Sequence, residues 1–116
     1  MRQLYVIQSI LAKALLRARE PNQRVRSIQL VLGEIAELDP VSIQKHWEEL
    51  SKGTPAERAS LQFRFIKAEV QCMACFQKYH PEDGEIHCPY CGSFGAKILA
   101  GEEFYLESIE LDDEQT

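Results

Sequence analysis

The spacing of apolar residues along the chain predicts two helices and three strands. Between residues 3 and 20, apolar side chains recur at steps of three and four, which places them on one face of an α-helix. A second helix is predicted to start at Asp39-Pro40, an N-cap followed by proline at the first helical position, and to end at Gly53. Alternating apolar residues predict the three strands: Val25–Leu32, Leu61–Phe65 and Phe104–Leu111.

The composition excludes several classes of function. The chain has 116 residues, of which 45% are apolar, and this is enough for one ordinary domain with a small satellite. Its formal net charge is −5 and no run of lysine and arginine compensates, so we expect no binding to nucleic acid. The sequence has neither the features of a signal peptide nor an apolar run near the roughly 18 residues that span a bilayer. We therefore expect a cytoplasmic protein without a membrane partner.

Four cysteines form the clearest chemical motif of the chain. They are arranged as two Cys-x-x-Cys pairs separated by twelve residues: Cys72, Cys75, Cys88 and Cys91. Two such turns can direct four sulfur atoms at one tetrahedral centre, which suits Zn²⁺, with iron as the competing metal. Two disulfides or a redox pair are less consistent with this spacing and with a reducing compartment. Four thiolates around one Zn²⁺ would carry −2 and bring the net charge to −7.

The predicted metal is structural, because four cysteines leave no open position for a substrate or an activated water. The chain also lacks a phosphate-binding glycine loop, a nucleophile elbow and a spaced carboxylate–histidine set, so we expect no enzyme. His80 and His87 lie beside the cysteine pairs. They are predicted to hydrogen-bond the thiolates or solvent, or to act as alternative ligands that replace a cysteine.

The segment around the cysteines differs in composition from the rest of the chain. It is enriched in glycine, proline, cysteine and histidine, and it lies between the second and third predicted strands. We therefore predict an α+β fold, in which a small mixed three-stranded sheet with two helices carries an inserted four-cysteine zinc-ribbon lobe. The predicted α/β domain consists of residues 1–67 and 101–116, and the predicted zinc lobe consists of residues 68–100.

Taken in order, these features resemble the HypA/HybF family of hydrogenase-maturation nickel metallochaperones. The resemblance covers essentially the whole chain and includes "LYVIQSILAKAL", "VRSIQLVLGEIAELDP", "CPYCGS" and "GEEFYLESIEL". It implies a mixed α/β nickel-binding domain with a zinc lobe. It also implies a protein that passes Ni²⁺, together with a partner GTPase, to the large subunit of [NiFe]-hydrogenase, and in some members serves urease. The sequence leaves a homodimer open.

The chain departs from this family at its first residues. Members begin Met-His-Glu, and nickel is held there by the terminal amine, a backbone amide nitrogen and the histidine imidazole. This chain has Met1-Arg2-Gln3, and an arginine, which stays protonated, cannot ligate a metal. Of the side chains and terminal group that the family uses, only the Met1 amine remains as a nickel ligand. An N-terminal nickel site of the family's kind is therefore not expected here.

Three explanations of this departure stay open. Nickel delivery has been lost while binding to a partner is kept, nickel binds elsewhere, or the start of the sequence does not represent the functional protein. Histidines are the candidate ligands for nickel elsewhere, namely His46, His80 and His87. The alternative function is a zinc-ribbon module that mediates protein interactions without delivering nickel.

Overall fold

The fold consists of two helices and two three-stranded sheets. A computed structural model of the protein describes residues 2–82 and 86–113. The elements are α1 (Arg2–Arg17), β1 (Gln23–Gly33), α2 (Pro40–Leu50), β2 (Ser60–Ile66), β3 (Glu69–Cys72), β4 (Lys78–Tyr79), β5 (Ala96–Ala100) and β6 (Phe104–Asp113). The strand order is β2-β1-β6 in one sheet and β4-β3-β5 in the other.

The predicted α+β fold with a four-cysteine lobe is confirmed. Both predicted helices and all three predicted strands are present, and the strands form the sheet β2-β1-β6. The three short strands around the cysteines were not predicted individually. The chain divides into two compact units: the first contains the described residues within 1–31, 37–64 and 104–116, and the second those within 32–36 and 65–103. The domain boundaries inferred from composition stay a prediction.

The first unit is held together by a conventional apolar core. Its buried side chains come from both helices and from β1, the central strand of the sheet. Trp47 of α2 is the largest of the fully buried side chains, and it is 2% exposed. α1 packs against α2 and β6. Burial of apolar surface is the main force in folding, and the positions that the helical spacing assigned to one face of α1 supply it: Ile7, Ile10 and Ala14.

α2 begins where its sequence signal placed it. The Asp39 carboxylate accepts a hydrogen bond of 2.7 Å from the backbone N–H of Ser42, and Pro40 occupies the first turn. This hydrogen bond lowers the pKa of Asp39 below its ordinary value, because it stabilises the charged form. Both features satisfy or remove N–H groups that a helix start leaves without partners.

Polar side chains link the three strands of the first sheet. Gln29 of β1 donates to the Gln62 side chain of β2 at 2.7 Å and accepts from the Ser108 hydroxyl of β6 at 2.7 Å. Arg64 of β2 binds the Glu107 carboxylate of β6 through two nitrogens, at distances from 2.6 to 3.2 Å. Because β1 lies between β2 and β6, this ion pair reaches across the central strand.

The second unit contains a close contact between two backbone segments. Gly33 donates its N–H to the Glu103 carbonyl at 2.7 Å, and Ile35 donates to the Gly101 carbonyl at 2.8 Å. A Cβ atom added to Gly33 would lie 2.0 Å from the Gly101 carbonyl oxygen. Gly101 has a φ of 117°, a conformation that favours glycine. Glycine is therefore required at positions 33 and 101, because the two backbone segments approach each other too closely for a side chain.

Glu34 fixes the residues beside this contact. Its Oε1 accepts the Ala68 N–H at 2.7 Å and lies 2.8 Å from His80 Nε2. The Ala68 hydrogen bond and then the His80 contact lower the pKa of Glu34 from its ordinary 4.5, because both favour the carboxylate. Glu34 thus joins the end of β1 to the start of β3 and to the segment after β4.

Replacing Gly33 with alanine is expected to destabilise the protein strongly. The new methyl group would overlap backbone atoms, which cannot move aside as a side chain does, so we expect a loss of about 1–3 kcal/mol or more. Urea denaturation measures this change. Gly95→Ala is the matched control, because nothing lies within 4 Å of an added Cβ there. Equal stability of the two variants would contradict the close contact.

Replacing Glu34 with glutamine is expected to weaken protection of the Ala68 amide near neutral pH. Since the folded-state pKa of Glu34 lies below 4.5, its charged form stabilises the fold above about that pH, and this contribution is lost as the pH falls through the lowered pKa. Hydrogen-exchange protection factors, measured by NMR from neutral to acidic pH, should therefore converge for wild type and variant. Glu69→Gln, on the exposed side of β3, serves as the control. Parallel profiles would show that the charge contributes nothing.

Candidate metal centre

The four cysteines come together in the second unit. Their sulfur atoms all lie within 4.8 Å of one another. Cys72 and Cys91 are 3.5 Å apart, and Cys75 and Cys88 are 3.6 Å apart. A disulfide needs a separation of about 2.05 Å, whereas a tetrahedron with metal–sulfur bonds of about 2.3 Å has edges of about 3.8 Å. The arrangement therefore fits four thiolates around one metal ion.

Two similar turns build this arrangement. In the first, Cys72 ends β3, its carbonyl accepts the Phe76 N–H at 3.0 Å, and its sulfur accepts the Ala74 N–H at 3.3 Å. In the second, the Cys88 carbonyl accepts the Gly92 N–H at 2.9 Å, and its sulfur accepts the Tyr90 N–H at 3.4 Å. In each turn the first sulfur accepts a backbone N–H from two residues further along the chain. In the first turn, the N–H groups of Cys75 and then Ala74 lower the pKa of the Cys72 thiol.

Both turns end in a left-handed residue. Gly92 follows Cys91 with a φ of 82°, and Phe76 follows Cys75 with a φ of 63°. For a residue with a side chain, this conformation costs roughly 1–2 kcal/mol. Phe76 is also 65% exposed, so burial of its ring does not offset that cost. The conformation accompanies the turn in which the Phe76 N–H bonds to the Cys72 carbonyl.

The thiols differ in acidity because their surroundings differ. The Ser93 hydroxyl and backbone N–H lower the pKa of Cys91 to about 6. The Gln77 N–H acts in the same direction on Cys75, but burial and the Cys88 sulfur outweigh it and raise the pKa of Cys75 to about 12. Four sulfurs this close cannot all ionise without a compensating cation. Binding a divalent metal removes this conflict and releases protons.

A small core supports the cysteines. Val70, Cys72, Tyr79 and Cys88 are buried together, and Cys75 and Ala96 pack against them. β3 pairs antiparallel with both β4 and β5, with Cys72 opposite Ala96. Of the cysteines, Cys72 and Cys88 are buried, Cys75 is half-buried and Cys91 is exposed. The cluster therefore has a shielded side and an open side.

Within the described residues, the group formed by the four sulfurs includes none of the three histidines. His80 contacts Glu34, and its Nδ1 lies 3.8 Å from the Glu82 carboxylate. The His87 ring packs against Phe94 with centroids 4.9 Å apart. His46 is half-buried on α2, and Met1 lies outside the described residues. The predicted ligand roles of these histidines and of the Met1 amine stay predictions.

Two contributors to the second unit were missed by the sequence reasoning. Ser93 stabilises the Cys91 thiolate, and its position two residues after a cysteine in "CPYCGS" could have indicated it. Glu34 contacts His80 across 46 positions of sequence, and no local pattern indicates such a pairing. None of the helices within residues 2–82 and 86–113 is both long enough and apolar enough to cross a bilayer.

The chain is similar to known proteins over nearly its whole length. The model of the family described as "Hydrogenase/urease nickel incorporation, metallochaperone, hypA" matches residues 1–111. The hydrogenase maturation factor HypA of Dehalococcoides mccartyi strain 195 is 35% identical, over 98% of this chain and 97% of that protein. The factor of the same name from Aquifex aeolicus strain VF5 is 29% identical, over 97% and 98%.

Two solved structures share the fold. The solution structure of the Ni metallochaperone HypA from Helicobacter pylori superposes with a TM-score of 0.60 at 22% identity, covering 96% of this chain and 97% of that one. A second HypA solution structure gives a TM-score of 0.67 at 22% identity, with 97% of each chain covered. Together with the family match over residues 1–111, this agreement means that the chain belongs to the HypA family of hydrogenase-maturation nickel metallochaperones.

Proposed function

We propose that the chain is a hydrogenase maturation factor that assists the insertion of nickel into [NiFe]-hydrogenase and carries a structural zinc ion. The observation that supports this most directly is the match to the family over residues 1–111, which includes the cysteine segment. The proposed partners are a nickel-handling GTPase and the hydrogenase large subunit. The proposed location is the cytoplasm, where thiols stay reduced and available for metal.

Zinc is the metal proposed for the four cysteines, as Cys72, Cys75, Cys88 and Cys91 supply only thiolate ligands. Thiolates in a tetrahedron suit a d¹⁰ ion that has no geometric preference of its own. Four protein ligands leave no position for substrate, so the proposed centre holds the second unit together and performs no catalysis. The histidines His80 and His87 are proposed as neighbours of this centre rather than as its ligands.

Replacing Cys72 with serine is expected to remove the metal and unfold the second unit while the helical circular dichroism of the chain is largely kept. The reason is that the helices lie in the first unit, whose core contains no cysteine. Elemental analysis should find one zinc per wild-type chain and much less than one in the variant. Tyr90→Ser, an exposed change in the second turn, should keep its zinc. Iron in the wild type would refute zinc, and a metal-free wild type would refute the centre.

The first residues of this chain do not supply the nickel ligands that the resemblance implies. α1 starts at Arg2, and a helix start carries partial positive charge that disfavours a bound cation. Arg2 adds a full positive charge and supplies no lone pair. The alternative function, a zinc-ribbon interaction module that has kept its partners without binding nickel, is favoured by this one observation.

Replacing Arg2 with histidine and Gln3 with glutamate is expected to create a nickel site. The double change supplies the imidazole and carboxylate of the family motif, so we expect Ni²⁺ binding tighter by about tenfold or more in calorimetric titrations. Zinc-loaded protein with a free terminal amine should be used. Arg2→Ala with Gln3→Glu is the control, since it removes the charge without adding an imidazole.

The outcomes of this titration separate the functions. Tight binding in the double variant alone would mean that the scaffold is intact and that the native chain lacks the ligands, which favours the interaction module. Equal tight binding in wild type and both variants would place nickel elsewhere and support delivery. Absence of binding in all three, together with failure of the wild type to bind a nickel-handling GTPase, would overturn the proposed function.

A further inference from the structure

The sheet β4-β3-β5 of the second unit has one buried face and one exposed face. Val70, Cys72 and Tyr79 are buried together on the side of the cysteine cluster. Since successive residues of a strand point to opposite faces, Gln71 and Lys78 point to the other side. Their exposure agrees with this, because Gln71 is half-buried and Lys78 is exposed. We call this side the outer face of the sheet.

Two lysines lie in one row on the outer face. Gln71 of β3 pairs with Lys78 of β4 on one side and with Lys97 of β5 on the other. Because neighbouring strands lie about 4.8 Å apart, the two lysines extend from backbone positions about 10 Å apart. Both are exposed, and neither forms an ion pair within residues 2–82 and 86–113. Two positive charges thus flank one neutral residue.

The sequence around these lysines contains no acidic residue. Residues 70–81 and 86–101 include Lys78 and Lys97 but neither aspartate nor glutamate, although the whole chain has a net charge of −5. Glu69, at the start of β3, is the first carboxylate beyond this segment. The side-chain charge of the outer face is therefore opposite in sign to that of the chain as a whole, and it attracts acidic groups.

Two large apolar side chains accompany the lysines. The Met73 N–H bonds to the Gly95 carbonyl at 3.0 Å, which continues the pairing of β3 with β5 by one residue and places Met73 on the same side as Gln71. Nε2 of Gln71 donates to the Phe76 carbonyl at 3.0 Å, so the Phe76 backbone also lies beside the outer face. Met73 is 56% exposed and Phe76 65% exposed.

Phe76 occupies a position at which a glycine would be unstrained. It follows the first pair of cysteines with a φ of 63°, and Gly92 follows the second pair with a φ of 82°. A side chain raises the energy of this left-handed conformation, and the exposed Phe76 ring gains little from contacts within its own chain. Strained residues concentrate at functional sites. The ring therefore has the properties of a contact for another molecule.

We propose that the outer face, formed by Gln71, Met73, Phe76, Lys78 and Lys97, binds an acidic segment of another protein. In an extended segment, two carboxylates four residues apart lie on one side and about 13 Å apart, with one further side chain between them. The flexible side chains of the two lysines can span this distance. An apolar residue between the carboxylates would then contact Met73, an adaptable side chain, and the Phe76 ring.

A protein segment fits the outer face better than nucleic acid does. Single-stranded nucleic acid also combines positive charge with an aromatic ring. However, two lysines neutralise few phosphates, and the rest of a chain with a net charge of −5 repels them. An acidic peptide carries fewer charges and adds an apolar side chain for Met73 and Phe76.

This inference goes beyond nickel delivery and requires only a folded second unit. Peptide binding can fail while nickel binding and GTPase binding persist, and the reverse also holds. The two proposals are thus distinguishable.

The experiment is fluorescence anisotropy of labelled synthetic peptides titrated with the zinc-loaded full chain. The probe repeats Glu-Ser-Leu-Ser, and its controls carry lysine for glutamate or serine for leucine. The probe should bind at least about tenfold more tightly than either control. Lys78→Glu with Lys97→Glu should weaken its binding about tenfold or more. Lys45→Glu with Lys52→Glu, an equal change of charge at exposed positions of the first unit, should leave the affinity within about twofold.

Phe76→Gly separates binding from folding. Glycine adopts a φ of 63° without strain, so this variant should keep one zinc per chain and the thermal midpoint of the wild type. Its affinity for the probe should nevertheless fall about fivefold or more, because the ring is absent.

Several outcomes would overturn the proposal. A wild type that does not bind the probe, or a double lysine variant that binds it as the wild type does, would exclude the outer face as its site. Loss of zinc from the double lysine variant would mean that the lysines compensate the charge of the thiolates. Tighter binding of labelled oligothymidylate than of the probe, lost in the same variant, would assign the face to nucleic acid.

Discussion

The meeting of four sulfur atoms is the constraint on which the second unit depends. Apart from two of the cysteines, the buried cluster around the sulfur atoms holds only Val70 and Tyr79 of the described residues. The strands around this core are 4, 2 and 5 residues long. A unit of this size buries too little apolar surface to be stable alone, and natural domains of the kind add a metal or disulfides. The backbone turns, the strand pairing and the left-handed Phe76 are all consistent with a chain arranged around one ion.

The first unit is organised by different forces. Its stability comes from burial of apolar side chains of α1, α2 and β1, and from a helix cap and cross-strand polar contacts. The four cysteines all lie in the second unit, so the core of the first unit contains none of them. A change in the cysteine cluster therefore need not disturb that core.

The sequence predicted the features whose signals are local. The Cys-x-x-Cys spacing indicated the cluster, Asp39-Pro40 indicated the start of α2, and the periodicity of α1 indicated its buried face. The short strands β3, β4 and β5 were missed because each is too short to show alternation. The pairing of Glu34 with Ala68 and His80 could not be foreseen, since it joins residues 34 and 46 positions apart. The order of motifs, rather than any one of them, indicated the family.

The uneven burial of the cysteines has a kinetic consequence. Three of the sulfurs belong to buried or half-buried residues, whereas Cys91 is exposed. A chelator, oxidant or alkylating agent that attacks the cluster therefore reaches Cys91 most readily, the half-buried Cys75 less readily, and the buried Cys72 and Cys88 least. Ser93 contacts the Cys91 sulfur at 3.4 Å, so its hydroxyl lies beside the most accessible sulfur of the cluster. Four ligands of one residue type thus differ in how readily each can be attacked.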